Sequence, residues 1–391
     1  MRRRSRTIRT TAAAAVLASL TVVLPARTAA AEPAAGAPDA GPRCEPSIRI
    51  LESLPGEDPY PNPWLHRTQV NDIGPAGLAV GVSHDLPAYW VGTKVFAVPL
   101  PAGATGGRVE AVNRSGLMVG TLTTPVRTET LAFSYRPGAR GVTLLPHGHT
   151  ASDVNDRGHV VGTRYDDEPG VTTGLEWAGG RIHRKLLVPP GYRLDYVTGI
   201  DDAGRVIGSG FGPPATGDDR PTSPGLLWSA AVDAGPTALL PLGSLDHQYR
   251  PHDIDDSGRI VGTYVSVQEQ WLDRPAVWTV PHEPAGYAPR LPSAHRGTFE
   301  GISPHTNVSV GIGSHFLYAW PPPPDHPQER AQYWTGEGPM RALPALAPNA
   351  FTTAYTVTDD DRVGGAAEDA EGDTHPVIWT CARKQAFIPA G

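Results

Sequence analysis

Fourteen histidines and several paired carboxylates are the residues of this 391-residue chain best equipped for chemistry. Their spacing argues against most familiar forms of it. His147-Gly-His149 is the tightest histidine pair, but no partner cluster stands near it, so no metal centre is expected. Asp201-Asp202, Asp255-Asp256 and Asp359-Asp360-Asp361 pair carboxylates in short polar segments. A calcium loop needs about six oxygens with a glycine at a set place, more than these segments offer. No Gly-x-Ser-x-Gly elbow, no His-Glu-x-x-His pattern and no spare cysteine nucleophile is present. A glycan hydrolase or lyase would need two carboxylates, or a carboxylate and a histidine, converging on one pocket. Asp166, Asp167, Glu168, Asp246 and His247 are the first suspects for such a pair. No catalytic residue and no cofactor is assigned from the sequence.

Binding chemistry is better represented. Trp271 and the cluster of Phe316, Tyr318 and Trp320 suit stacking on a sugar or packing on a partner protein, and Tyr165, His247 and Tyr249 join them as candidate ligand-binding residues. The expected function is a non-catalytic binding module for a glycan or a cell-envelope protein. An enzyme acting on glycans is the alternative, and a structural secreted repeat protein without a dedicated ligand is the second.

These residues lie between copies of a nine-residue pattern, an aliphatic residue, a polar turn, an aliphatic pair and a glycine. Val112-Asn-Arg-Ser-Gly-Leu-Met-Val-Gly120, Val154-Asn-Asp-Arg-Gly-His-Val-Val-Gly162 and Ile254-Asp-Asp-Ser-Gly-Arg-Ile-Val-Gly262 show it clearly. Further copies begin at Ile73 and Ile200, one from Ile302 to Gly311 is stretched by a residue, and one at Val357 has Asp361 for the turn glycine. The seven closing glycines are 39, 42, 46, 54, 49 and 54 residues apart, a period typical of repeat architectures.

Within each unit the turn is followed by a variable loop, a short strand ending in an aromatic such as Leu175-Glu-Trp177 or Ala276-Val-Trp278, and a third element such as Val142-Thr-Leu-Leu-Pro146. With the strand entering the turn, that makes four short strands, and no stretch keeps a helical period. One such meander cannot bury both its faces. Seven arranged radially can, which predicts an all-β, seven-bladed β-propeller of four-stranded antiparallel blades, with a β-sandwich or open β-solenoid as the alternative. The Asx residues and turn glycine suit a type I turn with a bulge, and the closing glycine suggests close backbone approach. If the strand before each turn is innermost, the seven turns share one face, and the long connections with the blade crossings share the other.

The ends carry their own signals. Residues 1–31 read as a signal peptide, with Arg2, Arg3, Arg4, Arg6 and Arg9 before an apolar stretch and Ala29-Ala-Ala31 as the cleavage signal. Residues 32–43 read as a disordered linker, leaving 44–391 as the propeller domain. A secreted, extracellular monomer is expected, with export by the general or the twin-arginine route left open. The segment from Ile48 to Pro55 resembles a final strand and has no sheet unless it joins the last unit. Cys44 and Cys381, the only cysteines, would then form a disulfide beside it. The net charge of −7 argues against a nucleic-acid partner, and no segment is long and apolar enough to span a membrane.

At these motifs the chain resembles the extracellular HAF-repeat family of secreted bacterial proteins, named for a His-Ala-Phe triplet after the turn. Val154–Gly162 fits the family's turn closely, and Leu131-Ala-Phe133 is the nearest copy of the triplet. The resemblance covers about residues 48–380, and departs from the pattern at the stretched turn and at Asp361. It implies an exported, propeller-like protein and brings no catalytic residues.

Overall fold

Each repeat folds into one antiparallel meander, and a computed structural model shows seven of them, each of four strands, with a two-residue fifth strand in one. It describes residues 44–56, 68–126, 129–166, 171–214, 221–231, 235–238, 247–266, 272–279, 286–292, 294–314 and 329–389. The expected signal peptide and linker lie outside these. The first strands of the blades are Thr68–Ile73, Gly106–Val112, Thr150–Val154, Arg193–Ile200, His247–Ile254, Arg296–Ile302 and Thr352–Val357. Each touches the first strand of the next blade, and the seventh touches the first, so these strands surround the axis of a closed ring. The chain is a seven-bladed β-propeller.

The second strands lie between neighbouring sheets and are apolar on both faces, as Leu78–Ser83 shows by burying all its residues. Seven hydrophobic clusters result, each shared by two adjacent blades. Trp90, Trp177, Trp228, Trp278 and Trp379 are fully buried in them. Several of these indoles also tie their blade to the preceding crossing. Trp90, Trp177, Trp228 and Trp379 donate to the carbonyls of Glu52, Pro146, Leu187 and Pro344.

Every inner strand is bulged two residues before its turn. The register shifts fall between Val70 and Asp72, Val109 and Ala111, Ala151 and Asp153, Val197 and Gly199, Pro251 and Asp253, Phe299 and Gly301, and Ala354 and Thr356. The bulge explains the closing glycine. A Cβ there would sit between 1.9 Å and 2.4 Å from a carbonyl oxygen of its own inner strand, such as Arg250 O for Gly262. No side chain fits.

The turns stitch neighbouring blades. In the pair Asp201-Asp202 the first carboxylate caps its own turn, accepting from the Arg205 amide at 2.7 Å, and the second accepts from the Asp156 amide of the preceding blade at 2.8 Å. Asp255 and Asp256 divide the same two tasks. The turn position with positive φ is Gly116, Gly158, Gly204 or Gly258 in four blades, Asn307 in the stretched turn, and Asp361 in the last. Asp361 uses its carboxylate to accept from the Tyr333 hydroxyl and the Arg383 amide, which fastens the final blade to its neighbour and to the C-terminal turn.

Ser47–Ile50 pairs antiparallel with Thr374–Thr380 as the outer strand of the last blade, so the two ends of the chain complete one sheet. Cys44 and Cys381 form a disulfide beside that pairing, with Cα atoms 5.9 Å apart. Closing a loop of 337 residues restricts the unfolded chain by about 5–6 kcal/mol in the ideal entropic limit. Among the described residues, no helix is long and apolar enough to cross a membrane.

Candidate functional site

The bulge that excludes a side chain at the closing glycine also turns one residue per blade toward the axis. These seven are Asn71, Glu110, Ser152, Thr198, His252, Glu300 and Tyr355, polar in every blade. The residue before each, at Val70, Val109, Ala151, Val197, Pro251, Phe299 and Ala354, is buried between sheets. Two residues further back, Gln69, Arg108, Thr150 and Tyr196 extend the polar lining toward the strand starts. The result is a funnel of about 1530 Å³ opening on the face of the long connections, opposite the turns.

One wall holds a hydrogen-bonded series. Gln69 donates to Asn71 Oδ1 at 2.7 Å, Asn71 donates to Val109 O at 2.8 Å, and Arg108 pairs with Glu110. The Glu110 carboxylate beside it raises the Arg108 guanidinium further above its ordinary value. On the other wall His252 Nδ1 lies 3.1 Å from Glu300 Oε2, and the Thr298 hydroxyl donates to Glu300 Oε1 at 2.6 Å. Burial opposes charge on both members of that pair. The ion pair prevails, raising His252 and lowering Glu300. Burial, reinforced by Glu300, pushes the Glu329 carboxyl up to about 7. Burial likewise raises the Tyr196 and Tyr355 hydroxyls, so both are hydrogen-bond donors at neutral pH.

At the rim, Tyr165 is 46% exposed and packs against His149, with ring centroids 5.2 Å apart. Asp166 pairs with Arg164 at 3.0 Å and accepts from the Thr173 hydroxyl at 2.7 Å. Both Tyr165 and Asp166 line the funnel.

The other sequence candidates fare differently. Tyr249 is 2% exposed and lies in the core between two blades, against Tyr264 and Trp278, so it does not face the funnel. His247 begins the inner strand of its blade, and its side chain lies outside the description. Trp271, Phe316, Tyr318, Trp320, Asp167, Glu168 and Asp246 also lie outside the described residues. Sequence reasoning missed Arg108, Glu110, His252, Glu300 and Tyr355. For all but Arg108, which stands two residues further back, the signal was a polar residue two places before each turn's opening aliphatic, outside the nine-residue pattern that begins at that aliphatic.

At the turn-side mouth a smaller cavity of about 400 Å³ is ringed by Asp72, Asp153 and Asp253. Each carboxylate joins two blades, accepting from its own next amide and from the amide of Val112, Ile200 or Ile302 across the junction. Burial raises all three, and Asp253 reaches about 7 despite its two amide donors. These groups are committed to holding the ring together.

No protein-family model matches the chain, and neither does any curated protein sequence. Solved structures of similar backbone include a putative TolB from Agrobacterium tumefaciens, 14% identical over 70% of this chain and 87% of that one, with a TM-score of 0.40. The β-propeller domain of the Trilobed protease from Pyrococcus furiosus is 8% identical over 80% and 95%, with a TM-score of 0.49. An acylaminoacyl peptidase is 11% identical over 80% of this chain and 51% of its own, with a TM-score of 0.46.

Proposed function

We propose that the chain is an exported binding module, of the HAF-repeat kind, that takes a polyhydroxylated ligand such as a glycan into the axial funnel. The observation that carries this reading is the convergence of Arg108, Glu110, Ser152, Thr198, His252 and Glu300 on one open cavity. Carboxylates, hydroxyls, an imidazole and a guanidinium around one cavity match the alternating donors and acceptors of a sugar. Tyr165, Tyr196 and Tyr355 add faces on which a pyranose ring can stack. The cavity is larger than the usual ~300–1,000 Å³ of a small-molecule site, which favours an oligomeric ligand. The signal-like N-terminus and the disulfide support an oxidising, extracellular setting.

A glycan array followed by calorimetry tests this, using the mature protein, an Arg108→Ala/Tyr165→Ala double variant and a Trp271→Ala/Trp320→Ala double variant. Arg108 is largely exposed and Tyr165 about half so, and the first variant is expected to keep its fold because neither side chain belongs to the core. Saturable binding lost in that variant supports the funnel. Loss only in the tryptophan variant moves the site to the long connections, and no glycan binding at all rejects the reading.

One observation favours an enzyme as the second reading. The ion pair with His252 holds Glu300 ionised, while burial, with Glu300 adding to it, pushes Glu329 toward protonation, a divergence of the kind acid–base catalysis uses. Turnover of an arrayed glycan that Glu300→Gln abolishes would put this reading first.

A further inference from the structure

His159, Glu176 and His183 are 17 and 7 residues apart in sequence, a spacing that matches no metal motif. The third blade nevertheless brings them together across three adjacent strands, His159–Tyr165, Thr172–Ala178 and Arg181–Leu186. The outer strand is bulged against Glu176 and Trp177, so that Glu176 faces Arg184, Trp177 faces Ile182, and His183 is the extra residue between. One donor atom from each of the three side chains falls within 4.8 Å of the others. His159 Nδ1 is 2.6 Å from Glu176 Oε1, and the two imidazoles meet edge-on with centroids 5.1 Å apart. Among the described residues, it is the one such grouping of three His, Cys, Asp or Glu side chains.

We propose that His159, Glu176 and His183 form a binding site for a divalent first-row transition-metal ion, zinc foremost, at the rim where the third blade meets the fourth.

Two imidazoles and one carboxylate select zinc, copper or nickel over calcium and magnesium, which take oxygen donors. Zinc bonded at about 2.0–2.1 Å in a tetrahedral set holds its donors about 3.3 Å apart, so separations of up to 4.8 Å must close by up to about 1.5 Å while the 2.6 Å contact of His159 with Glu176 opens slightly. His183 can supply that movement, because it is exposed and sits on a bulge. Glu176 is already aimed. Its other oxygen accepts from Arg184 Nε at 2.5 Å, and Arg184 is fixed by the Ser229 and Ala231 carbonyls of the fourth blade at 2.7 Å and 2.9 Å. A ligating carboxylate is usually held by such an outer hydrogen bond, which here comes from Arg184. The guanidinium leaves Oε1 free for His159 or the ion, and its charge makes the site weaker than a closed structural centre. Three protein donors leave a fourth position for water.

Zinc chloride titrated into the tag-free full chain tests the site, by calorimetry and by thermal shift, with His159→Ala and His183→Ala variants and His375→Ala as control. His375 pairs with Asp369 on the last blade, well outside this cluster. The expected result is one saturable site per chain with a zinc-dependent rise in Tm, weakened about tenfold or more by either site variant and unchanged by the control. Bound Co2+ should show visible absorption that His183→Ala removes. Failure of zinc to bind saturably, or wild-type affinity in His183→Ala, overturns the proposal.

Discussion

Thr356 and Asp72 are 284 residues apart in sequence, yet the threonine hydroxyl donates a 3.0 Å hydrogen bond to the aspartate carboxylate. The contact closes a circuit. Around the turn-side mouth the residue before each turn's opening aliphatic runs Asp72, Ala111, Asp153, Gly199, Asp253, Gly301 and Thr356. An aspartate in one blade reaches the amide of the next, where a small residue leaves room for it. An odd number of blades cannot alternate two residue kinds all the way round. An aspartate in the seventh blade would face Asp72 directly, and a neutral donor in its place turns repulsion into a bond.

Replacing Thr356 with valine should cost about 0.5–1.5 kcal/mol, the usual worth of one such bond. Thr356→Asp should cost more, and its excess over the valine variant should be larger at pH 8 than at pH 5, when both carboxylates ionise. Urea denaturation at the two pH values measures both. Equal stability of the two variants at pH 8 would sink the closure argument.

The closing glycines make a sharper prediction. In Gly262→Ala the new Cβ would lie 2.1 Å from Arg250 O, a backbone atom with nowhere to go. The expected loss is about 3 kcal/mol or a failure to accumulate folded protein. Gly286→Ala, whose nearest neighbour is 3.9 Å away, should stay within about 0.5 kcal/mol of the parent. Thermal melts of the two variants side by side decide it.

Stability should fall as pH rises from about 5 to 8. Burial raises Asp253 from 3.8, and Glu329 from 4.5, to about 7 in the folded chain, which therefore holds more protons than the unfolded chain between those values. Histidine works in the same direction. Asp359 and Asp256 raise the pKa of His305, so the stability from its bridge is full below the ordinary 6.5 and is lost as pH climbs through the raised value. Glu300 acts on the acid side, where its contribution disappears only as pH drops below 4.5. A scan of Tm against pH should peak near pH 5. A Tm that climbs steadily to pH 8 would refute this account.

Much of the fold was legible because it is written locally and repeated. A turn that needs left-handed backbone at Gly116, Gly158, Gly204 and Gly258, and an aromatic strand at a fixed distance after it, recur often enough to define blade, ring and closure. The pairing of Cys44 with Cys381 followed from the same reasoning, since the ring brings the ends of the chain together. Even the division of labour in Asp201-Asp202 was half visible, because the first aspartate acts within its own turn. The second acts on another blade, and nothing local announces it.

What the tertiary structure alone decided is where side chains converge. Tyr249 looked like a loop-face aromatic because it stands near a crossing, but one step along a strand separates the funnel from the core, and its parity puts it in the core. Glu110 and Glu300 stand 190 residues apart in sequence and share one cavity because the inner strands of different blades surround one axis. A bulge in each strand then rotates a polar residue into that space. Local sequence fixes a blade through hydrogen bonds and packing within a few tens of residues. A site assembled from one residue per blade depends on the closed ring.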